Sequence, residues 1–156
     1  MAQQLGTGDR IPDFSLLDQD SNQVDIADYL GKGPMVIYFY PKDDTPGCTR
    51  EACSFRDSYE EFSDAGATVF GISSDSPSKH KRFVERYRLP FTLLADSDNE
   101  VRKAFGVKGD LFGLIPGRVT FVIDEEGIIQ HVFDSQTRAE AHMQESLDAI
   151  RRIQQD

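Results

Sequence analysis

An α/β domain, with a mixed central sheet flanked by helices, is the fold class this sequence predicts. Two patterns point to it: β-branched and aromatic runs alternate with helical stripes, and two late strands close on an acidic, glycine-containing turn. The 156 residues amount to about one domain. A chain of this size buries roughly 70% of the surface its unfolded form exposes, so it needs neither a disulfide scaffold nor a metal to fold. No internal repeat, low-complexity tract or linker interrupts it, and residues 1–156 are read as a single domain.

In chain order, residues 11–24 hold two short extended pieces around the polar turn Asp18–Asn22, which predicts an N-terminal β-hairpin. Met35–Tyr40 (MVIYFY) has the continuous apolar character of a strand buried on both faces. Thr45 is the candidate N-cap of the next helix, with Pro46 at its first position and Ala52, Phe55, Tyr59 and Phe62 as its apolar stripe. Gly66 should close it. Ala67–Ser73 reads as a strand, and Ser76–Pro77 opens a basic helix through about Arg88, with Phe83, Val84 and Tyr87 inward. Within it, the Lys79–Arg82 cluster is expected on an exposed face. Phe91–Ala95 is a strand, and Asn99–Phe105 a short helix ended by Gly106. Val119–Asp124 and Ile128–Phe133 form a hairpin about Glu125–Glu126–Gly127. From about Arg138 the last helix carries Met143, Leu147, Ile150 and Ile153 on one face. The early strands should be joined by right-handed crossovers. This layout fits a thioredoxin-like fold with an N-terminal extension, and the pattern alone fits a flavodoxin-like one equally.

Acidic residues number 27 against 17 Lys and Arg, a formal charge of -10. Nucleic acids and anionic membranes require a basic face, so neither is expected as a partner. No apolar run approaches the roughly 20 residues of a membrane span. The start, Met1–Gln4, lacks the basic and apolar regions of a secretory signal. A cytoplasmic protein is expected, or a stromal one whose transit peptide has been removed. Two thiols and three scattered histidines (His80, His131, His142) lack metal-ligand spacing, so neither metal nor cofactor is expected, and no histidine is given a role.

The chemistry concentrates in Pro41-Lys-Asp-Asp-Thr45-Pro-Gly-Cys48-Thr-Arg-Glu51-Ala-Cys53. A strand feeds a loop and then a helical first turn, where free N–H groups and the positive dipole end stabilise a thiolate at Cys48. A lone cysteine is more often a small packing residue; its place in this turn argues for a nucleophile. Cys53 follows five positions on. In an intact α-helix that spacing separates Cα atoms by about 8.6 Å and turns them about 140° apart. A disulfide wants less than about 7 Å. Cys53 is therefore either an unrelated packing residue or a partner reached only after the first turns unwind. Pro46 and Gly47 make that end easy to undo.

Pro41, Thr45 and Cys48 match the P-x-x-x-[TS]-x-x-C signature of the peroxiredoxins, thiol peroxidases on a thioredoxin-like fold. Glu51 and Cys53 extend it to the C-T-x-E-x-C form of the peroxiredoxin Q (bacterioferritin comigratory protein) subfamily. Gly117-Arg118-Val-Thr-Phe-Val-Ile-Asp124 resembles the family's G-R-x-T-F-V-I-D strand, and Asp110–Gly117 resembles the cyanobacterial and plastid branch. The resemblance runs through nearly the whole chain. It implies that Cys48 is the peroxidatic cysteine and Cys53 the resolving one, in an intramolecular disulfide recycled by thioredoxin. Thr45 would accept from the peroxide and bond the sulfur while also capping the helix, and Pro41 would shield the pocket from water. Arg118 would stabilise the thiolate and polarise the peroxide; Glu51 would orient Arg118 or a neighbour such as Arg50. The implied substrates are hydrogen peroxide and alkyl hydroperoxides, and the implied state is a monomer. Without a Gly-Gly-Leu-Gly segment or a C-terminal Tyr-Phe helix, unwinding should be quick and overoxidation resisted. A general disulfide oxidoreductase would use Cys-x-x-Cys instead, and a redox sensor or holdase would be oxidised only stoichiometrically.

Overall fold

The computed structural model describes residues 3–108 and 116–155. The stretch resembling the plastid branch falls largely on 109–115, outside the described residues, as does the Ile115–Pro116 bond, whose isomer the sequence leaves open. The strands are β1 (Ser15–Asp18), β2 (Gln23–Asp25), β3 (Met35–Phe39), β4 (Thr68–Ser73), β5 (Thr92–Ala95), β6 (Val119–Ile123) and β7 (Ile129–Asp134). The helices are α1 (Pro46–Asp57), α2 (Tyr59–Asp64), α3 (Pro77–Tyr87), α4 (Glu100–Ala104) and α5 (Ala141–Gln155). A single sheet runs β2-β1-β5-β4-β3-β6-β7. β3, β4 and β5 are parallel, whereas β6 lies antiparallel to β3 and β1 to β5. The predicted mixed sheet is present, and the N-terminal hairpin extends it beyond β5.

Alternation along β3 sets the two cores. Val36, Tyr38 and Tyr40 pack with Phe55, Phe62, Phe83, Leu147 and Ile150 under α1, α2, α3 and α5. Met35, Ile37 and Phe39 pack on the other face with Phe70, Val101, Phe105 and Phe121, under α4. Five of five β3 residues are buried, as its unbroken apolar run requires.

Two expectations need correction. The stripe from Ala52 to Phe62 was expected to form one helix, but the chain leaves helical geometry at Ser58 (φ -109°, ψ 9°) and continues as α2. Serine offers the backbone alternative bonds and tolerates such a break; Phe55 and Phe62 still meet across it, with ring centroids 5.7 Å apart. Gly66 ends α2 at φ 72°, the left-handed residue expected there. The Lys79–Arg82 cluster is only partly exposed, for His80 is fully buried. It shares the inward face with Phe83, Val84 and Tyr87, at the spacing 80, 83, 84, 87 of one helical stripe. An unnoticed 3-10 turn at Ile26–Tyr29 buries Ile26.

Candidate active site

Sheet pairing brings the sequence-distant motifs together. Phe39 of β3 faces Val119 of β6 in antiparallel register. Pro41, leaving β3, and Arg118, entering β6, therefore lie at the same end of the sheet, where the 41–45 loop turns into α1. Thr45 has the extended backbone of an N-cap (φ -90°, ψ 156°) and Pro46 starts the helix, which makes Cys48 the third residue of α1. The expected side-chain cap is absent. Thr45 Oγ1 instead donates to Lys42 O at 2.9 Å and closes the loop that precedes the helix. The first-turn N–H groups, which have no carbonyl one turn earlier, are thus not taken by the hydroxyl. Cys48 itself is 1% exposed.

Arg118 closes over this turn. Its Nη1 donates to Glu51 Oε1 at 2.6 Å and its Nε to Gln136 O at 3.1 Å. Its Nη2 lies so close to Gly47 that a Cβ there would stand 2.9 Å away. Glycine at the second position of α1 is thus needed for clearance as well as for a weak helix end. Burial works against the charge on Arg118, but Glu51 and Cys48 overcome it and hold the guanidinium more firmly protonated than usual. Of the two arginines named as partners for Glu51, Arg118 is the one in contact; Arg50 instead pairs with Glu140 at 2.9 Å on the surface.

Glu51 is fully buried, and burial outweighs the attraction of Arg118, pushing its pKa up to about 8. Its Oε1 accepts from Arg118 in either protonation state. Among the described residues its second oxygen, Oε2, has no hydrogen-bond partner; it lies 3.5 Å from Nδ1 of His142. His142, in the first turn of α5, donates through Nε2 to Ser135 O at 2.8 Å and accepts at Nδ1 from Thr120 Oγ1 at 2.7 Å. Burial brings its pKa down to about 4 despite the Ser135 carbonyl, so the ring is neutral and this tautomer is kept.

Cys53 is half-buried in the same uninterrupted helix, and both cysteines are free thiols. Burial raises the Cys53 pKa, with Arg56 opposing and Asp57 reinforcing. The C-terminal half of α1 is fastened by buried Phe55 and by Arg56 Nη1 bonding Tyr87 O of α3 at 2.8 Å. The N-terminal half is tied through Glu51 to Arg118, and its first two residues are Pro46 and Gly47, a weak helix start.

The 41–45 loop is clamped from the α3 side by residues the sequence reading left out. Asp43 receives Tyr40 OH at 2.5 Å and meets His80 Nδ1 at 2.6 Å, while its N–H donates to Asp75 Oδ2 at 2.8 Å. His80 Nε2 donates to Leu94 O at 3.0 Å. Asp44, at φ 62°, accepts from Arg86 and from Tyr87 OH. The stripe through His80 was visible in the sequence; the contact of His142 with Glu51 crosses 91 positions and left no local signal.

The model of the AhpC/TSA family matches residues 7–132. The chain belongs to that family. This peroxiredoxin is 50% identical over 149 residues to "Peroxiredoxin Q, chloroplastic" of Populus jackii, spanning 96% of this chain and 70% of the relative. It superimposes on the crystal structure of peroxidoxin BcpB from Mycobacterium tuberculosis with TM-score 0.88 and 40% identity, covering 96% and 98% of the two chains. The bacterioferritin comigratory protein of Xanthomonas campestris, studied for its alkyl peroxide reduction, matches with TM-score 0.82 and 30% identity over 90% and 91%. The thioredoxin-like fold, the peroxiredoxin Q kinship and thiol peroxidase activity expected from the motif all stand.

Proposed function

We propose that Cys48 is the peroxidatic cysteine, that Cys53 resolves it, and that a thioredoxin-like dithiol protein recycles the pair. The Cys48 thiolate attacks the terminal oxygen of a hydroperoxide and supplies both electrons. An S–O bond forms, the O–O bond breaks, and the leaving alkoxide or hydroxide takes up a proton. Arg118 offsets the charge that develops on the departing oxygen, in a buried setting where such a term is large. Cys53 then attacks the sulfenic sulfur, an S–S bond forms and water leaves. Reduction by an external dithiol restores both thiols. Thr45 presents its hydroxyl to the peroxide, and Pro41 keeps water from the pocket. Hydrogen peroxide and alkyl hydroperoxides both fit these roles.

What carries the assignment is the seat of Cys48: a buried sulfur in the first turn of α1, beneath a guanidinium that Glu51 fixes at 2.6 Å. The test is peroxide-dependent NADPH consumption with thioredoxin and its reductase. Cys48→Ser should abolish turnover. Cys53→Ser should still consume one peroxide per chain but fail to cycle with thioredoxin. Wild-type oxidation that stops after a single equivalent would indicate a sensor in place of a peroxidase. A monomer is supported by the scarcity of large exposed apolar side chains, Leu17 and Leu30 among the described residues. Kinship with chloroplastic relatives favours a plastid-type setting over the cytoplasmic one first expected.

A further inference from the structure

Arg102 lies on the opposite face of the sheet from α1, on the short helix α4, and no motif drew attention to it. It is 7% exposed. Its backbone N–H donates to Asp96 Oδ2 at 2.9 Å, and Val101 N–H to Asp96 Oδ1 at 3.1 Å, which fixes the start of α4. The side chain passes over the Phe39 ring, 5.6 Å from its centroid, and ends in a fork. Nη1 donates to Gly117 O at 2.8 Å and Nη2 to Tyr40 O at 2.8 Å. These are the carbonyls immediately before Arg118 and before Pro41. β3 and β6 have already ended as ladders at Phe39 and Val119, so the guanidinium bridges the two strands where their own pairing has run out. Burial disfavours its charge, and Asp96, Cys48 and Tyr40 work the other way, so the cation lies within electrostatic reach of the sulfur.

We propose that Arg102 is a positioning residue for the peroxide step: its bidentate bridge between Tyr40 O and Gly117 O sets the spacing of Pro41 and Arg118 about Cys48. The proposal rests on Cys48 being the residue that attacks the peroxide. The planar fork meets the two carbonyls in a fixed geometry; an ammonium has donors enough but, on a flexible stem, does not fix their spacing. Arg102 also supplies a second positive charge behind the site. The fork and the charge make separable predictions.

The experiment follows single-turnover sulfenic-acid formation at Cys48 by stopped flow, with iodoacetamide alkylation of Cys48 across pH in the absence of peroxide. The variants are Arg102→Lys and Arg102→Met. Arg102→Lys should keep the wild-type alkylation profile and slow peroxide attack about tenfold, because geometry is loosened and charge is kept. Arg102→Met should slow the attack about a hundredfold and move the alkylation profile to higher pH. Reduction of a preformed disulfide by dithiothreitol should be unchanged in both. Circular dichroism reports whether each variant is folded; should Arg102→Met fail to fold, Arg102→Lys decides. A folded variant with the wild-type rate of peroxide attack overturns the proposal, as does a Lys variant that loses only thermal stability. If the peroxide-dependent label in wild type maps away from Cys48, the underlying assignment falls first, which the Arg102 variants alone would not produce.

Discussion

Burial beneath Arg118 makes Glu51 a carboxyl that gives up its proton only near pH 8, against an ordinary value of 4.5. Between those limits the folded protein binds a proton that the unfolded chain has released, so this group's stabilising effect fades as pH rises toward 8. His142 works in the opposite sense. Its pKa falls from 6.5 to about 4, so stability rises with pH across that lower window. The two contributions oppose each other below about pH 6.5, and Glu51 acts alone above it. Wild type should therefore lose on the order of 2 kcal/mol more than Glu51→Gln between pH 6.5 and 8, at about 1.4 kcal/mol per pH unit. Urea unfolding of both proteins at the two pH values measures this; parallel curves would contradict it. Cys48 and Glu51 were legible because a helix start and a compact motif announce them. His142 and Arg102 were not, since each reaches the site through contacts that depend on the folded sheet.

Helix α1 has to be stable enough to seat Cys48 and weak enough to release it. Pro46 and Gly47 make its first turn a weak helix start, while Phe55 and the Arg56–Tyr87 bond hold its far end, so opening should begin at Pro46 and run toward Cys53. Gly47→Ala tests both demands at once. Alanine favours the helix by up to about 1 kcal/mol over glycine, while its Cβ would press on Arg118 Nη2 at 2.9 Å. The expected result is slower sulfenic-acid formation, slower disulfide closure and a larger sulfinic fraction by intact mass after a modest peroxide excess. Faster closure with no sulfinic increase would count against this picture. The expected single helix through Phe62 shows where pattern reading stopped: the apolar stripe is continuous through Ser58, and only the backbone reveals the break. For α3 the reverse holds. The basic composition of Lys79–Arg82 drew the eye to a solvated face, although the apolar spacing already placed His80 inward.

Across the whole molecule, one antiparallel pairing does most to build the site. β3 and β6 are far apart in sequence, and their register sets Pro41 opposite the residues around Arg118, with α1 springing from the loop between β3 and β4. Strand and helix alternation made the layered architecture readable from the sequence. The attachment of the N-terminal hairpin to β5 was not readable, because short, half-exposed strands carry no signal for which edge they join. The same pairing, with Glu51 and Arg102 behind it, leaves a single sulfur facing the converging positive charge, so oxidant should meet Cys48 first. Cys53→Ser protein treated with one equivalent of hydrogen peroxide, trapped with dimedone and mapped by peptide mass, tests this most directly. The adduct should form on Cys48, in near-stoichiometric yield; unmodified Cys48 would contradict the assignment.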